Sequence, residues 1–255
     1  MKIASLVEAT TVNAVAKVTL EFFRAAEELA EPRHSAYGSL ITFSRAAIDK
    51  PDNEFIAAAR AAGIEIDVIP ERGPFDLSVI AALKRIIDQR QPDIVITSSI
   101  KSHFVMWRSK LWKQYPWVAF HHGYTNTDAK MRVYNRFDRW SLPRADLVIT
   151  VCQEFAAELA TLNRIPREKI RVQHNPIRPR DGASDVQTES LRNKLGIQNQ
   201  KVILSVGRLS AEKAHADLVR AFASLSTTNC KLVIVGDGPE KQNLQSLAMD
   251  GAYVG

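Results

Sequence analysis

The sequence predicts an α/β protein made of doubly wound parallel sheets. Three observations support this fold class: short apolar runs of strand length, amphipathic stretches of helical periodicity, and the alternation of the two along the chain. Parallel strands need crossover connections, and these place helices on both faces of the sheet. With 255 residues, of which 45% are hydrophobic and 24% charged, the chain can bury a sizeable core.

Nine apolar runs predict the strands of these sheets. They have ordinary strand lengths and most are rich in Val, Ile and Leu, which is typical of strands buried on both faces. In chain order they span residues 2–7, 37–43, 64–69, 93–98, 117–120, 146–151, 169–173, 201–207 and 231–236. Helical periodicity fills the intervals at 15–30, 52–63, 76–91, 152–163, 215–226 and 239–248.

A polar run at 178–190 divides this pattern into two domains. It contains Pro179 and Gly182 among scattered polar residues, a composition typical of a linker. Residues 1–177 are therefore predicted to form a complete Rossmann-like domain of ordinary size. Residues 191–255 restart the alternation with too few strands to close such a sheet, so we expect them to be the first part of a second domain.

Positive charge is concentrated in one segment. The net charge is +6 and the pI near 9.4, whereas residues 101–144 contain nine Lys or Arg against two Asp and carry +7 by themselves. Such a patch suits nucleic acid, an anionic membrane or a phosphorylated substrate. Because the chain has no signature of a nucleic-acid recognition module, we expect no nucleic-acid partner.

Targeting signals and metal-binding patterns are not found in the sequence. No run approaches the roughly 18–20 apolar residues of a membrane-spanning helix, and the first residues lack the apolar block of a signal peptide, so we expect a cytoplasmic protein. Cys152 and Cys230 lie far apart, in neither metal-ligand nor redox spacing. We expect both to be reduced and buried, and we predict no metal site and no disulfide.

The most informative motif is VILSVGRLSAEKAHADLVRAF, residues 202–222. It reads as a strand, a tight turn at Gly207, and a loop that offers Arg208 and Lys213 at the start of a helix. Unpaired amides at a helix N-terminus, together with a guanidinium and an ammonium group, suit a diphosphate. The alternative is that both side chains are solvated surface charges.

A second turn follows at KLVIVGDGPEKQNLQ, where the glycines permit a sharp bend and Pro239 suits a first helical turn. In order and spacing, the two strings resemble the signature of retaining glycosyltransferases of family 4, with Ala214 where glycine usually stands. Residues 93–177 are similar to the acceptor-side domain of that family. The resemblance implies a GT-B fold and transfer of a sugar, with retention, from a nucleotide diphosphate sugar to an acceptor hydroxyl in lipopolysaccharide or cell-surface polysaccharide synthesis.

The resemblance also implies roles for individual residues. His122 corresponds to a catalytic-cleft histidine close to the donor sugar, and the carboxyl end of a parallel strand is where such sheets bind ligands. A structural, loop-capping histidine is the alternative. Arg208 and Lys213 are implied to stabilise the departing diphosphate, so that no metal or other cofactor is required. The predicted donor-binding set is Gly207, Arg208, Lys213, Gly236, Asp237 and Gly238.

On the acceptor side, the implied candidates are Asn13, Lys101, His103 and Tyr124, for a lipid-linked or saccharide acceptor. Two positions depart from the family: the first loop lacks a glycine pair, and Ser98 replaces a frequent histidine. The segment 106–117 combines three tryptophans with basic residues, which favours either peripheral attachment to the inner face of an anionic membrane or core packing.

Rival functions remain open at this point. Family members carry two glutamates, eight positions apart, that hold the sugar and ribose, and those positions would fall after Gly255. A truncated, catalytically inactive chain that binds membrane, acceptor or a partner is therefore one alternative. A nucleotide-sugar epimerase or a phosphorylase of similar architecture is another, although the region around His122 favours a transferase.

Overall fold

The computed structural model describes residues 1–28, 37–45, 53–73, 76–124, 129–176, 182–225 and 229–250. Contacts divide the chain into two compact units, Met1–Ile177 and Arg178–Gly255. The first unit contains a seven-stranded parallel sheet in the order β3-β2-β1-β4-β5-β6-β7. Its strands are β1 (Lys2–Leu6), β2 (Tyr37–Ser44), β3 (Glu65–Pro70), β4 (Ile94–Thr97), β5 (Trp117–His121), β6 (Leu147–Thr150) and β7 (Ile170–Val172).

The strand order reverses between β1 and β4, which are hydrogen-bonded neighbours although two strands separate them in sequence. Such a reversal leaves a crevice at the carboxyl ends of the two strands, where open α/β sheets bind ligands. All seven strands predicted for this part of the chain are confirmed, and so is the doubly wound α/β class.

Six helices connect these strands in the described part of the first unit. They are α1 (Ala14–Glu28), α2 (Glu54–Ala61), α3 (Ser78–Arg90), α4 (Ile100–Ser109), α5 (Ala129–Ser141) and α6 (Gln153–Leu162). Helical periodicity predicted neither α4 nor α5. In α4 the inward face includes Lys101, Ser102 and His103, all buried, so polar residues occupy the positions where apolar ones mark a helix.

The aromatic segment 106–117 contributes mainly to the core. Trp117 is fully buried in β5, and its Nε1–H donates to Thr97 Oγ1 at 2.8 Å. Trp107 and Trp112 are half-buried and pack against the same apolar cluster. The core-packing alternative is therefore correct for Trp117, which cannot contact a membrane from this position.

The second unit contains α7 (Asp185–Lys194), β8 (Lys201–Val206), α8 (His215–Ala223), β9 (Cys230–Val235) and α9 (Lys241–Asp250). Strands β8 and β9 pair in parallel, as the alternation predicts. Helix α7 begins at Asp185, inside the segment 178–190 that composition predicts to be a linker. Ser184 and Gln187 form a capping box on this helix, and the S-x-x-Q spacing was the missed signal.

Burial is sparse in the second unit. Its buried apolar cluster consists of Leu209, Val219 and Leu244, whereas Leu204 and Val206 of β8 are 61% and 71% exposed. Cys152 and Cys230 are free thiols, half-buried rather than buried as predicted. In the described ranges, no helix combines the length and apolar character needed to cross a membrane, and no group of three or more His, Cys, Asp or Glu forms a metal site.

Candidate active site

The loop after β5 is positioned by a glycine that no other residue could replace without strain. Gly123 adopts φ +93°, and a Cβ built there would lie 2.3 Å from Cζ of Phe155 in α6. The backbone therefore turns sharply against α6, directly after His122. The predicted catalytic histidine thus lies at the carboxyl end of a central strand, on a loop of defined conformation.

His122 itself is half-buried, and its ring stacks on Phe120 with the ring centroids 4.7 Å apart. Burial, with a smaller contribution from the nearby His103, lowers its pKa from 6.5 to about 4. The imidazole is therefore neutral at pH 7. Its ring nitrogens make no hydrogen bond within the described part of the chain, which leaves a donor and an acceptor for a ligand hydroxyl.

A buried carboxylate organises the protein beneath this loop. Asp138 of α5 is 0% exposed; its Oδ1 lies 2.6 Å from His103 Nδ1 and its Oδ2 lies 3.7 Å from His121 Nδ1. Tyr124 packs on His121 with centroids 4.4 Å apart and accepts a hydrogen bond from Asn163 Nδ2 at 2.7 Å. This Asp138 cluster connects α4, α5, α6 and the strand end that carries His122.

The Asp138 cluster changes how two predicted acceptor residues are interpreted. His103 is 1% exposed and bonded to Asp138, and Tyr124 is turned toward the same carboxylate, so both support the loop from inside. Neither His121 nor Asp138 was singled out from the sequence. Asp138 is one of two acids in a basic segment, but nothing in its local pattern indicates burial.

A second group of charges lies after β1, β2 and β3. Lys101 of α4 pairs with Glu71 and lies 3.7 Å from Glu8 Oε1, while Arg45 Nε lies 2.8 Å from Glu71 Oε1. Burial lowers the pKa of Lys101, and the neighbouring carboxylate of Glu8 opposes this shift. Lys101 also lies over the ring of Phe43, at 4.3 Å.

This ionic cluster (Glu8, Arg45, Glu71 and Lys101) modifies the prediction for Lys101, which is 6% exposed and already paired. The other three members were not predicted, because 93 positions separate the first from the last and only the strand order brings them together. Asn13, predicted to lie on the acceptor side, uses its side chain to cap α1. Its Oδ1 accepts a hydrogen bond from the Ala16 amide at 3.0 Å.

In the second unit, the two glycine-containing turns interlock. The Leu209 amide donates to Asp237 O at 2.9 Å, and the Glu240 amide donates to Leu209 O at the same distance. A Cβ on Gly236 would lie 1.8 Å from Gly207 O, and one on Gly238, at φ +157°, would lie 2.3 Å from Leu209 O. Only glycine permits this approach, so the turns after β8 and β9 form one structure.

This double turn (Gly207 to Lys213 with Gly236 to Gly238) brings the predicted donor-binding residues together. Arg208, Lys213 and Asp237 are exposed on it. A hydrogen bond from Ser210 lowers the pKa of Glu212, and the charges of Arg208 and Lys213 contribute to the same shift. Both cations therefore lie near the Glu212 carboxylate, before the first residue of α8.

Two features of the residues directly after Lys213 were not predicted. Ala214 adopts φ +51°, a left-handed conformation that glycine adopts without strain. His215, the first residue of α8, is 5% exposed, and its Nδ1 has no partner among the described residues. The unusual alanine in the motif therefore stands where a glycine is physically favoured.

Comparison with known proteins defines the class. The model of Glycosyltransferase Family 4 matches residues 26–181, and that of Glycosyl transferases group 1 matches residues 187–250. The crystal structure of Anabaena HepE in complex with UDP superposes with a TM-score of 0.77 and 19% identity, over 98% of this chain and 66% of that one. The fold is thus that of the GT-B glycosyltransferases.

Curated relatives agree with this class. An uncharacterized glycosyltransferase of Methanocaldococcus jannaschii is 34% identical over 105 residues, 39% of this chain and 27% of that protein. Alpha-monoglucosyldiacylglycerol synthase of Acholeplasma laidlawii is 42% identical over 64 residues, 24% and 16% of the respective lengths. Because the family model covers more than half of the chain, the chain belongs to glycosyltransferase family 4. It spans about two thirds of the HepE chain.

Proposed function

We propose that this chain provides the acceptor-side domain and the diphosphate-binding part of a retaining glycosyltransferase. The proposal rests on the double turn of the second unit, which exposes Arg208 and Lys213 on a backbone whose close packing requires Gly236 and Gly238. A departing nucleoside diphosphate gains negative charge in the transition state. Two fixed cations next to a helix N-terminus stabilise that charge without a metal ion.

His122 is proposed to contact the donor sugar. Its neutral imidazole offers one hydrogen-bond donor and one acceptor, which suits hydroxyl groups better than a charged ring would. Glu8 and Arg45 of the ionic cluster, which remain partly exposed, are proposed to meet the acceptor. Retention of configuration is part of this proposal, and the match to glycosyltransferase family 4 supports it.

The acceptor is proposed to be lipid-linked and the reaction to serve glycolipid, lipopolysaccharide or cell-surface polysaccharide synthesis, on the cytoplasmic face of a membrane. A relative's name, a glucosyldiacylglycerol synthase, supports a lipid acceptor, and HepE binds UDP. Within the positive segment 101–144, basic side chains lie over indole rings: Arg144 over Trp107, Lys113 over Trp112 and Arg136 over Trp140. Trp140 is 46% exposed, and this composition suits anionic lipid headgroups.

The test is release of nucleoside diphosphate from UDP-, GDP- and ADP-sugars by the enzyme to which this chain contributes, with and without a glycolipid acceptor. We expect one donor to be used, and we expect loss of turnover in Lys213→Ala and in His122→Ala. Lys194→Ala, an exposed lysine of α7, is the matched control and should behave as the wild type. Turnover that is equal in Lys213→Ala and Lys194→Ala would refute the proposed role of the double turn.

A further inference from the structure

An apolar cavity lies in the first unit between α3, α4 and α5. Its volume is about 170 Å³, and the described residues that line it are mainly Leu77, Val79, Ile100, Phe104 and Phe137. An apolar cavity of about 150 Å³ engineered in an unrelated protein holds a benzene ring. By that measure this cavity has room for a small ring or about six carbon atoms of a chain.

One wall of the cavity adjoins the ionic cluster. Lys101 and Tyr134 line the cavity, and Lys101 Nζ pairs with Glu71 and lies 3.7 Å from Glu8 Oε1. Burial raises the pKa of Tyr134, and so does the charge of Glu8. Lys101 therefore belongs both to the lining of the cavity and to the ionic cluster, whose other members follow β1, β2 and β3, so an apolar surface and a charged one adjoin at this residue.

The charged residues next to the cavity are accessible to a ligand. The side chains of Glu8 and Arg45 are 35% and 30% exposed, whereas Glu71 and Lys101 are almost completely covered. The buried pair holds the exposed pair in place. A carboxylate beside a guanidinium offers both an acceptor and donors to a polyhydroxylated group.

We propose that this cavity binds the apolar group of an amphiphilic acceptor, with the hydroxyl-bearing part of that acceptor against Glu8 and Arg45. The inference rests on the proposed function, because it names the acceptor class for the same enzyme. Transfer of apolar surface from water into the cavity supplies affinity, and the charged pair fixes orientation. A lipid or aryl glycoside fits this description, and a free sugar does not.

Binding of hexyl β-D-glucoside and methyl β-D-glucoside to the full chain, measured by isothermal titration calorimetry without a donor, tests this proposal. We expect the hexyl compound to bind at least about tenfold more tightly, because several methylene groups leave water. Leu77→Ala should weaken the hexyl compound about threefold or more and leave the methyl compound unchanged. The Leu77 side chain is 54% exposed and does not cap α3 through a side-chain hydrogen bond, so its truncation should leave the core intact.

Leu162→Ala is the matched control, because Leu162 is a leucine of α6 with 53% exposure that does not line the cavity. Equal affinity of the wild type for both glucosides would overturn the proposal, and so would equal weakening in the two leucine variants. The assay contains no nucleotide. Loss of this selectivity in a chain that still binds a nucleoside diphosphate would therefore remove the cavity proposal and leave the proposed function in place.

Discussion

At the scale of single residues, backbone conformation constrains both candidate loops. Gly123 and Gly238 have positive φ angles and no space for a Cβ. Ala214 also has a positive φ angle, although it carries a side chain. The first two positions therefore tolerate no other residue without movement. The backbone of Ala214 is strained, and substitution by glycine should remove that strain.

Ala214→Gly should stabilise the chain. The left-handed conformation costs an alanine about 1–2 kcal/mol, and the greater entropy of an unfolded glycine offsets part of the gain, which leaves about 0.5–1 kcal/mol. Urea denaturation of the full chain measures the change. Ala221→Gly, at an exposed position inside α8, is the control and should destabilise by about 1 kcal/mol. Destabilisation by both variants would contradict the assigned conformation of Ala214.

Gly123→Ala should destabilise the loop after β5, because the new methyl group would overlap the ring of Phe155. We expect a loss of about 2–3 kcal/mol in the free energy of unfolding. In the Phe155→Ala background, the same substitution should cost less, because only the φ strain remains. Denaturation of the four proteins in this cycle measures the coupling, and strict additivity would exclude the contact.

Stability should depend on pH through two histidines. Burial lowers the pKa values of His121 and His122 from 6.5 to about 4, so between these values the unfolded chain binds more protons than the folded one. Their contribution is complete above pH 6.5 and is lost as the pH falls toward 4, on the order of 2 kcal/mol each at pH 5. Denaturation at pH 7 and pH 5 tests this. A double variant with asparagine at both positions should lose much of the difference; an unchanged difference would contradict the assignment.

At the scale of elements, the Asp138 cluster ties α4 and α5 to β5. Asp138→Ala should lower the free energy of unfolding by about 3 kcal/mol, since it leaves buried imidazoles without their carboxylate. Asp138→Asn keeps an acceptor and should cost less. Asp217→Ala, with a side chain 78% exposed, should change stability by less than about 0.5 kcal/mol. Thermal or urea unfolding distinguishes these outcomes, and an equal effect of the two alanine variants would contradict the role of Asp138.

The same elements mark the limit of prediction from sequence. Apolar runs such as 93–98 and 146–151 predict strands because burial on both faces removes any polar alternation. Each half of the double turn was predictable, because the residues of each half are close in sequence and their glycines indicate a turn. The Asp138 cluster and the ionic cluster were not predictable, because each joins residues from distant segments of the chain. In a hydropathy pattern, their buried polar side chains cannot be distinguished from polar surface residues.

At the scale of the molecule, the two units differ in how much apolar surface they bury. β1, β4 and β5 lie inside a large core, whereas Leu204 and Val206 of β8 are mostly exposed. Amide hydrogens of β8 and β9 should therefore exchange faster than those of the first sheet, because local opening there uncovers little apolar surface. Hydrogen–deuterium exchange with peptide resolution measures this. Equal protection in both units would contradict the predicted difference in local stability.

Binding of a nucleoside diphosphate to the full chain is the most direct test of the diphosphate site. Titration with UDP, GDP and ADP should reveal one ligand, and Arg208→Ala and Lys213→Ala should each weaken it by about tenfold or more. Lys194→Ala should leave the affinity unchanged. If none of the three nucleotides binds, or if Lys213→Ala and Lys194→Ala behave alike, the double turn is not the diphosphate site.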